Sequence, residues 1–115
     1  CYDLRFPVWA RNTDDYDVLL VVANWPKARI QAWNALLRAR AIENMAYAIG
    51  VNRIGTDHHQ LEYPGHSAVY DALGNEVLLL DANQEVGVVS IDKSALHHLR
   101  KKLPFLEDSD AFSLE

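Results

Sequence analysis

Residues 16–23 (YDVLLVVA) restrict the folds open to this chain more than any other segment. The apolar residues in this run do not alternate with polar ones. In an extended backbone Val18, Leu20 and Val22 line one side and Leu19, Val21 and Ala23 the other, and neither side is polar. Such a strand is expected to be buried on both faces, as in a layered α/β structure. One cover follows directly. Between about residues 27 and 45, Ile30, Trp33, Leu37, Ala41 and Met45 recur every three or four positions without an intervening Gly or Pro. This spacing predicts a long helix with its stripe against a sheet.

The remaining text fits the same class. Residues 47–53 read as a second strand, and 55–64 as a polar loop carrying His58 and His59. Residues 67–71 and 76–80 read as short strands joined by a hairpin turn at 72–75, where Gly74 and Asn75 tolerate positive φ. Residues 86–91 read as a further strand. Asp92 is placed to cap a helix over 93–102 that Pro104 stops. Near the start, residues 6–11 predict a short helix with Pro7 in its first turn, and 12–15 a polar break. Helices alternate with strands early and strands run together later, which argues for one sheet covered by helices. Its second apolar face requires another layer.

Size and charge exclude several functions. At 115 residues the chain is one domain at most. Sixteen acidic side chains against 11 basic ones leave a net charge of −5, a poor surface for nucleic acid or anionic lipid. The one basic cluster, Arg100-Lys101-Lys102, suits the last turn of a helix, where cations complement the macrodipole. No apolar run approaches the ~20 residues of a membrane span. The adjacent pairs His58-His59 and His97-His98 point apart and make poor chelators, so no metal is expected. No G-x-G-x-x-G or phosphate-binding loop is present, so no cofactor is expected.

The chain has a single cysteine, Cys1, which has no partner for an intramolecular disulfide and suits a reducing cytoplasm. Its thiol is either an inert core group or a nucleophile. Residues 1–7 (CYDLRFP) resemble the nucleophile segment of the nitrilase (carbon–nitrogen hydrolase) superfamily, closest to its bacterial omega-amidase branch. The likeness continues through 17–26 (DVLLVVANWP), 33–44 (WNALLRARAIEN), 52–55 (NRIG), and Gly65-His66-Ser67 with Asp71 and Gly74. The resemblance implies an α-β-β-α sandwich of which the chain supplies the C-terminal half, with residues 1–103 in the hydrolase domain and 104–115 as a C-terminal tail.

It also implies a Glu–Lys–Cys triad with Cys1 as nucleophile. The Glu acts as general base, and the Lys and the backbone N–H of Tyr2 stabilise the oxyanion. Glu and Lys precede the cysteine by many tens of residues in that family, so the chain by itself is expected to be inactive. Asn24 and Trp25, at a strand's C-terminal end, are the candidate substrate-binding residues. The implied substrate is a small dicarboxylic acid monoamide of the 2-oxoglutaramate type. The implied partner is a further copy, in a homodimer or higher homo-oligomer of the full-length protein. One position departs from much of the superfamily: Asn34 stands where many nitrilases and carbamoylases carry a second pocket Glu, which argues against those two activities.

Other polar residues read as structural. Arg5 is expected to pair with Glu43 or Asp3, and Arg40 with Glu43, three residues on. His66 and Ser67 read as hydrogen bonders that fix a loop. Two alternatives stay open: an N-terminal-nucleophile hydrolase in which the α-amino group of Cys1 is the base, and a non-catalytic interaction domain. A half-sandwich with a bare apolar face is expected to self-associate.

Overall fold

In the computed structural model, which describes residues 1–115, the apolar run forms β1 (Val18–Ala23). A 3-10 turn at Lys27–Arg29 leads into α1 (Ile30–Asn44), and the chain returns through β2 (Tyr47–Asn52) parallel to β1. A two-stranded ribbon follows, β3 (Ile54–Thr56) and β4 (Glu62–Pro64). Strands β5 (Ala68–Tyr70) and β6 (Glu76–Leu79) complete the main sheet, and α2 (Lys93–Lys102) comes last. The sheet order is β1-β2-β5-β6, with β2–β5 and β5–β6 antiparallel. The architecture is α/β, as the alternation of patterns indicated. No helix is long and apolar enough to cross a membrane.

The core lies between α1 and one face of this sheet. Trp33, Leu37 and Ala41 are fully buried, as their spacing predicts, against Ala48, Ala68 and Tyr70. Burying a leucine such as Leu37 stabilises the fold by about 1.5–3 kcal/mol. The approach is close because β2 presents small residues to the helix. A methyl group on Gly50 would lie 2.4 Å from Leu37 Cδ2 and 2.6 Å from Trp33 Cζ2. The helix ends at Met45 in the left-handed conformation, with φ 46° and ψ 48°. Asp92 caps α2, its carboxylate accepting from Ala95 N at 3.0 Å. The hairpin turn also forms as read: Gly74 has φ 82°, and Asp71 Oδ1 accepts from Leu73 N and Asn75 N.

Three expectations need correction. The first is the burial of residues 16–23 on both sides. Leu20 is 69% and Val22 73% exposed, because within this chain α1 covers only the Leu19–Val21–Ala23 side. The second concerns residues 55–64, which contain the β3–β4 ribbon rather than a simple loop; Asp57 Oδ1 accepts from His59 N and Leu61 N and shapes its turn. The third is residues 86–91, which form no strand. They lie across side chains of the sheet instead of along an edge, and a methyl on Gly87 would meet Leu80 and Leu78 at 2.7 and 2.9 Å. A backbone stacked over a face has no ladder to join.

Candidate active site

Cys1 is exposed and sits at the N-cap of a 3-10 turn, Tyr2–Arg5, which a second turn, Pro7–Ala10, follows directly. The predicted short helix at 6–11 is this second turn. Leu4 N closes the first turn on Cys1 O at 3.2 Å. In a turn with this bonding pattern, the first N–H groups, those of Tyr2 and Asp3, have no acceptor within it. A cleft of about 130 Å³ opens beside Cys1, walled by Leu4, Trp9, Leu20 and Val22 among others.

The turn is held from below. Leu4 is 3% exposed and packs in the core. Its carbonyl accepts two hydrogen bonds from Arg40, from Nε at 3.1 Å and from Nη2 at 2.7 Å. Arg40 pairs in turn with Glu43 at 2.7 Å, the (i, i+3) pair its sequence position suggested. Arg5 does otherwise than expected. Its guanidinium lies 4.8 Å from the centroid of the Trp25 ring and makes no ion pair with Glu43 or Asp3. The reason is competition: Glu43 is engaged by Arg40, while the face of an indole attracts a cation.

Asn24 and Trp25 leave the carboxyl end of β1. Asn24 is exposed, and Trp25 is buried at 3% exposure, with Trp33 at 5.7 Å between ring centroids. Trp25 Nε1 donates to Arg29 O at 2.8 Å. Thus Arg5 connects the Cys1 turn to Trp25, and Trp25 connects it to α1. Asn52 locks this corner. Its Oδ1 accepts from Trp25 N at 2.7 Å, and its Nδ2 donates to Trp25 O and Gly65 O at 2.9 and 2.8 Å. His66 and Ser67 fix the neighbouring loop, as read: Ser67 Oγ accepts from Asn52 N, and His66 O accepts from Trp33 Nε1. Asn34 Oδ1 lies 3.1 Å from His66 Nδ1, so this amide joins the same loop to α1.

Two groups escaped the sequence reading. Asn44 binds Asn12 through both side chains: Asn44 Oδ1 accepts from Asn12 N, and Asn12 Nδ2 donates to Asn44 O. Asp17 gathers two cations and a histidine, Arg100 Nη1 at 3.1 Å, Lys93 Nζ at 3.2 Å and His97 Nε2 at 2.6 Å. The hydrogen bond from His97 leads in holding the Asp17 carboxyl below its ordinary 3.8. The basic last turn of α2 is therefore more than a complement to its dipole. Arg100, only 12% exposed at its side chain, ties that helix to Met45 O and Tyr16 O. No cluster of three metal-ligating side chains occurs.

Comparison with known proteins gives a consistent picture. The family model for carbon-nitrogen hydrolases matches residues 1–101. Omega-amidase YafV of Escherichia coli (strain K12) is 48% identical over 115 residues, covering 99% of this chain and 45% of that protein. A 2-oxoglutaramate amidase of Bacillus subtilis (strain 168) is 37% identical over 112 residues, covering 94% of this chain and 42% of that protein. Among solved structures, XC1258 of Xanthomonas campestris, a CN-hydrolase superfamily protein with an arsenic adduct in its active site, superposes with a TM-score of 0.96 at 46% identity. All of this chain is covered, against 46% of that one. The chain spans a little under half the length of these relatives.

Proposed function

Because this chain belongs to the carbon–nitrogen hydrolase family, we propose that it carries the nucleophile of an amidase cleaving the terminal amide of small dicarboxylic acid monoamides, 2-oxoglutaramate among them. One observation carries the reading: the single thiol stands exposed at the head of a tight turn, beside N–H groups that the turn leaves unclaimed. The similarity to omega-amidase YafV and to 2-oxoglutaramate amidase supports the substrate class.

The chemistry follows from that placement. The Cys1 thiolate attacks the amide carbonyl carbon and a C–S bond forms. The carbonyl oxygen takes the negative charge, and the backbone N–H of Tyr2 donates to it. The intermediate collapses with cleavage of the C–N bond, and the nitrogen leaves as ammonia after taking a proton. Water then adds to the thioester, a C–O bond forms, and the C–S bond breaks to restore the thiol and release the carboxylate. The general base and the lysine are contributed by a Glu and a Lys outside residues 1–115. Asn24 lines the substrate side at the end of β1, and Trp25 backs it from the core. Tyr2, Trp9, Phe105 and Phe112, all more than half exposed, form apolar surface suited to a further copy in a homodimer or larger assembly.

The test uses the complete polypeptide that the gene encodes. Ammonia release from 2-oxoglutaramate is measured for the natural sequence and for Cys1→Ala. Turnover that disappears in the variant, with a thioester adduct in the intact mass of the natural protein, is the expected result. Undiminished turnover in Cys1→Ala would refute the assignment.

A further inference from the structure

We propose that Arg40 is a positioning residue for Cys1, a buried guanidinium that sets the nucleophile's turn from beneath; the inference rests on the amidase reading above. Arg40 is 3% exposed, although arginine is among the residue types almost never fully buried unless paired. Two of its donors converge on one acceptor, Leu4 O, at 3.1 and 2.7 Å, and a third meets Glu43 Oε1 at 2.7 Å. Leu4 N donates to Cys1 O at 3.2 Å. A single residue therefore separates the cation from the nucleophile, and both of its backbone polar groups are engaged.

The economy of the local backbone makes this anchor matter. Residues 2–5 and 7–10 form two 3-10 turns joined by an extended Phe6, and the hydrogen-bond geometry of such turns is poorer than that of an α-helix. Such a segment owes its rigidity to what holds it from outside. α1 supplies two holds one helical turn apart. Arg40 takes the Cys1 end at Leu4 O. Asn44 takes the far end at Asn12, accepting from Asn12 N at 2.9 Å, and its own Nδ2 donates to Arg40 O at 2.9 Å. Residues at this spacing lie on the same helix face.

An apolar side chain of similar length would fill the Arg40 site without the cost of burying a charge. What it would not supply is a planar fork that fixes the position and direction of one carbonyl. Thiol attack and oxyanion stabilisation both depend on placement to within a fraction of an ångström, and a misplacement of about 1 Å costs on the order of 100-fold in rate. Arg40 thus acts on the reaction through Leu4, without touching substrate.

The experiment compares Arg40→Met, Arg40→Lys and Leu96→Ala in the complete polypeptide, at a temperature where each is folded. Leu96 is a buried residue of α2, and its truncation loosens the core away from the Cys1 turn. Arg40→Met is expected to lower kcat by about 10- to 100-fold with KM within threefold. Arg40→Lys, which keeps a cation but loses the fork, should recover part of that loss, while Leu96→Ala keeps kcat within threefold. A kcat within threefold of natural in Arg40→Met overturns the proposal, as does an equal loss in Leu96→Ala. If Arg40→Met does not fold, Arg40→Lys decides: natural kcat overturns the proposal, and a loss beyond threefold at unchanged KM supports it. Undiminished turnover in Cys1→Ala would instead defeat the amidase reading on which this rests.

Discussion

Replacing Gly50 with alanine tests how tightly α1 is seated on the sheet. The added methyl would stand 2.4 Å from Leu37 Cδ2 and 2.6 Å from Trp33 Cζ2, and both partners are fully buried with no route outward. Forcing one methyl into a filled core costs about 1–3 kcal/mol. Against this, alanine restricts the unfolded chain and returns about 0.4–1 kcal/mol. The net expectation is a loss of about 1–2 kcal/mol, or about 4–8 °C in Tm for a chain of this size. The assay is urea and thermal unfolding followed by tryptophan fluorescence. Leu37→Ala by itself is expected to cost about 2–5 kcal/mol. In the double variant the new methyl occupies space that Leu37 vacates, so the combined loss should fall at least about 1 kcal/mol short of the sum. A Gly50→Ala chain as stable as the natural one, or strictly additive losses, would refute the close-packing argument.

Two further predictions concern pH. The folded Asp17 carboxyl titrates below its ordinary 3.8, chiefly through the hydrogen bond from His97. Its contribution is therefore present above pH 3.8 and lost as pH falls through the lower folded value; Asp17→Asn should lower Tm at neutral pH and flatten the acid limb of a Tm–pH curve. Burial pushes Tyr16 up to about 12 from 10.0, so stability that it contributes is intact below pH 10.0 and lost as pH rises toward 12. A 295 nm absorbance titration should show a tyrosine that ionises late, and this step should vanish in Tyr16→Phe.

The long helix was legible in the sequence because its stripe answers to one partner surface. Trp33, Leu37, Ala41 and Met45 repeat at helical spacing, and all four are buried. The Cys1 segment was legible through its resemblance to a family. The contacts that hold it were not. Arg40 and Leu4 stand 36 residues apart, and no local rule joins a helix arginine to a distant carbonyl. The expected pairing of Arg5 with an acid failed for a related reason: charge complementarity read along a chain does not reveal which cation reaches Glu43 first. Residues 86–91 have the β-branched composition of a strand, yet strand formation needs a free edge alongside, which composition does not record. The exposed side of β1 shows the same limit from the other direction. Leu20 and Val22 announce a cover, and what provides it is not written in these residues.

The small residues of β2 have a consequence for assembly of the sheet. Ala48, Gly50 and Asn52 face α1, while Tyr47, Ile49 and Val51 alternate with them on the other side. Sliding β2 by a single position against β1 would exchange the two sets and thrust a tyrosine ring and two branched side chains at an indole that has no free volume around it. Every odd-numbered misalignment is thereby incompatible with a docked helix, so the strand's own side chains select the pairing that α1 can cover.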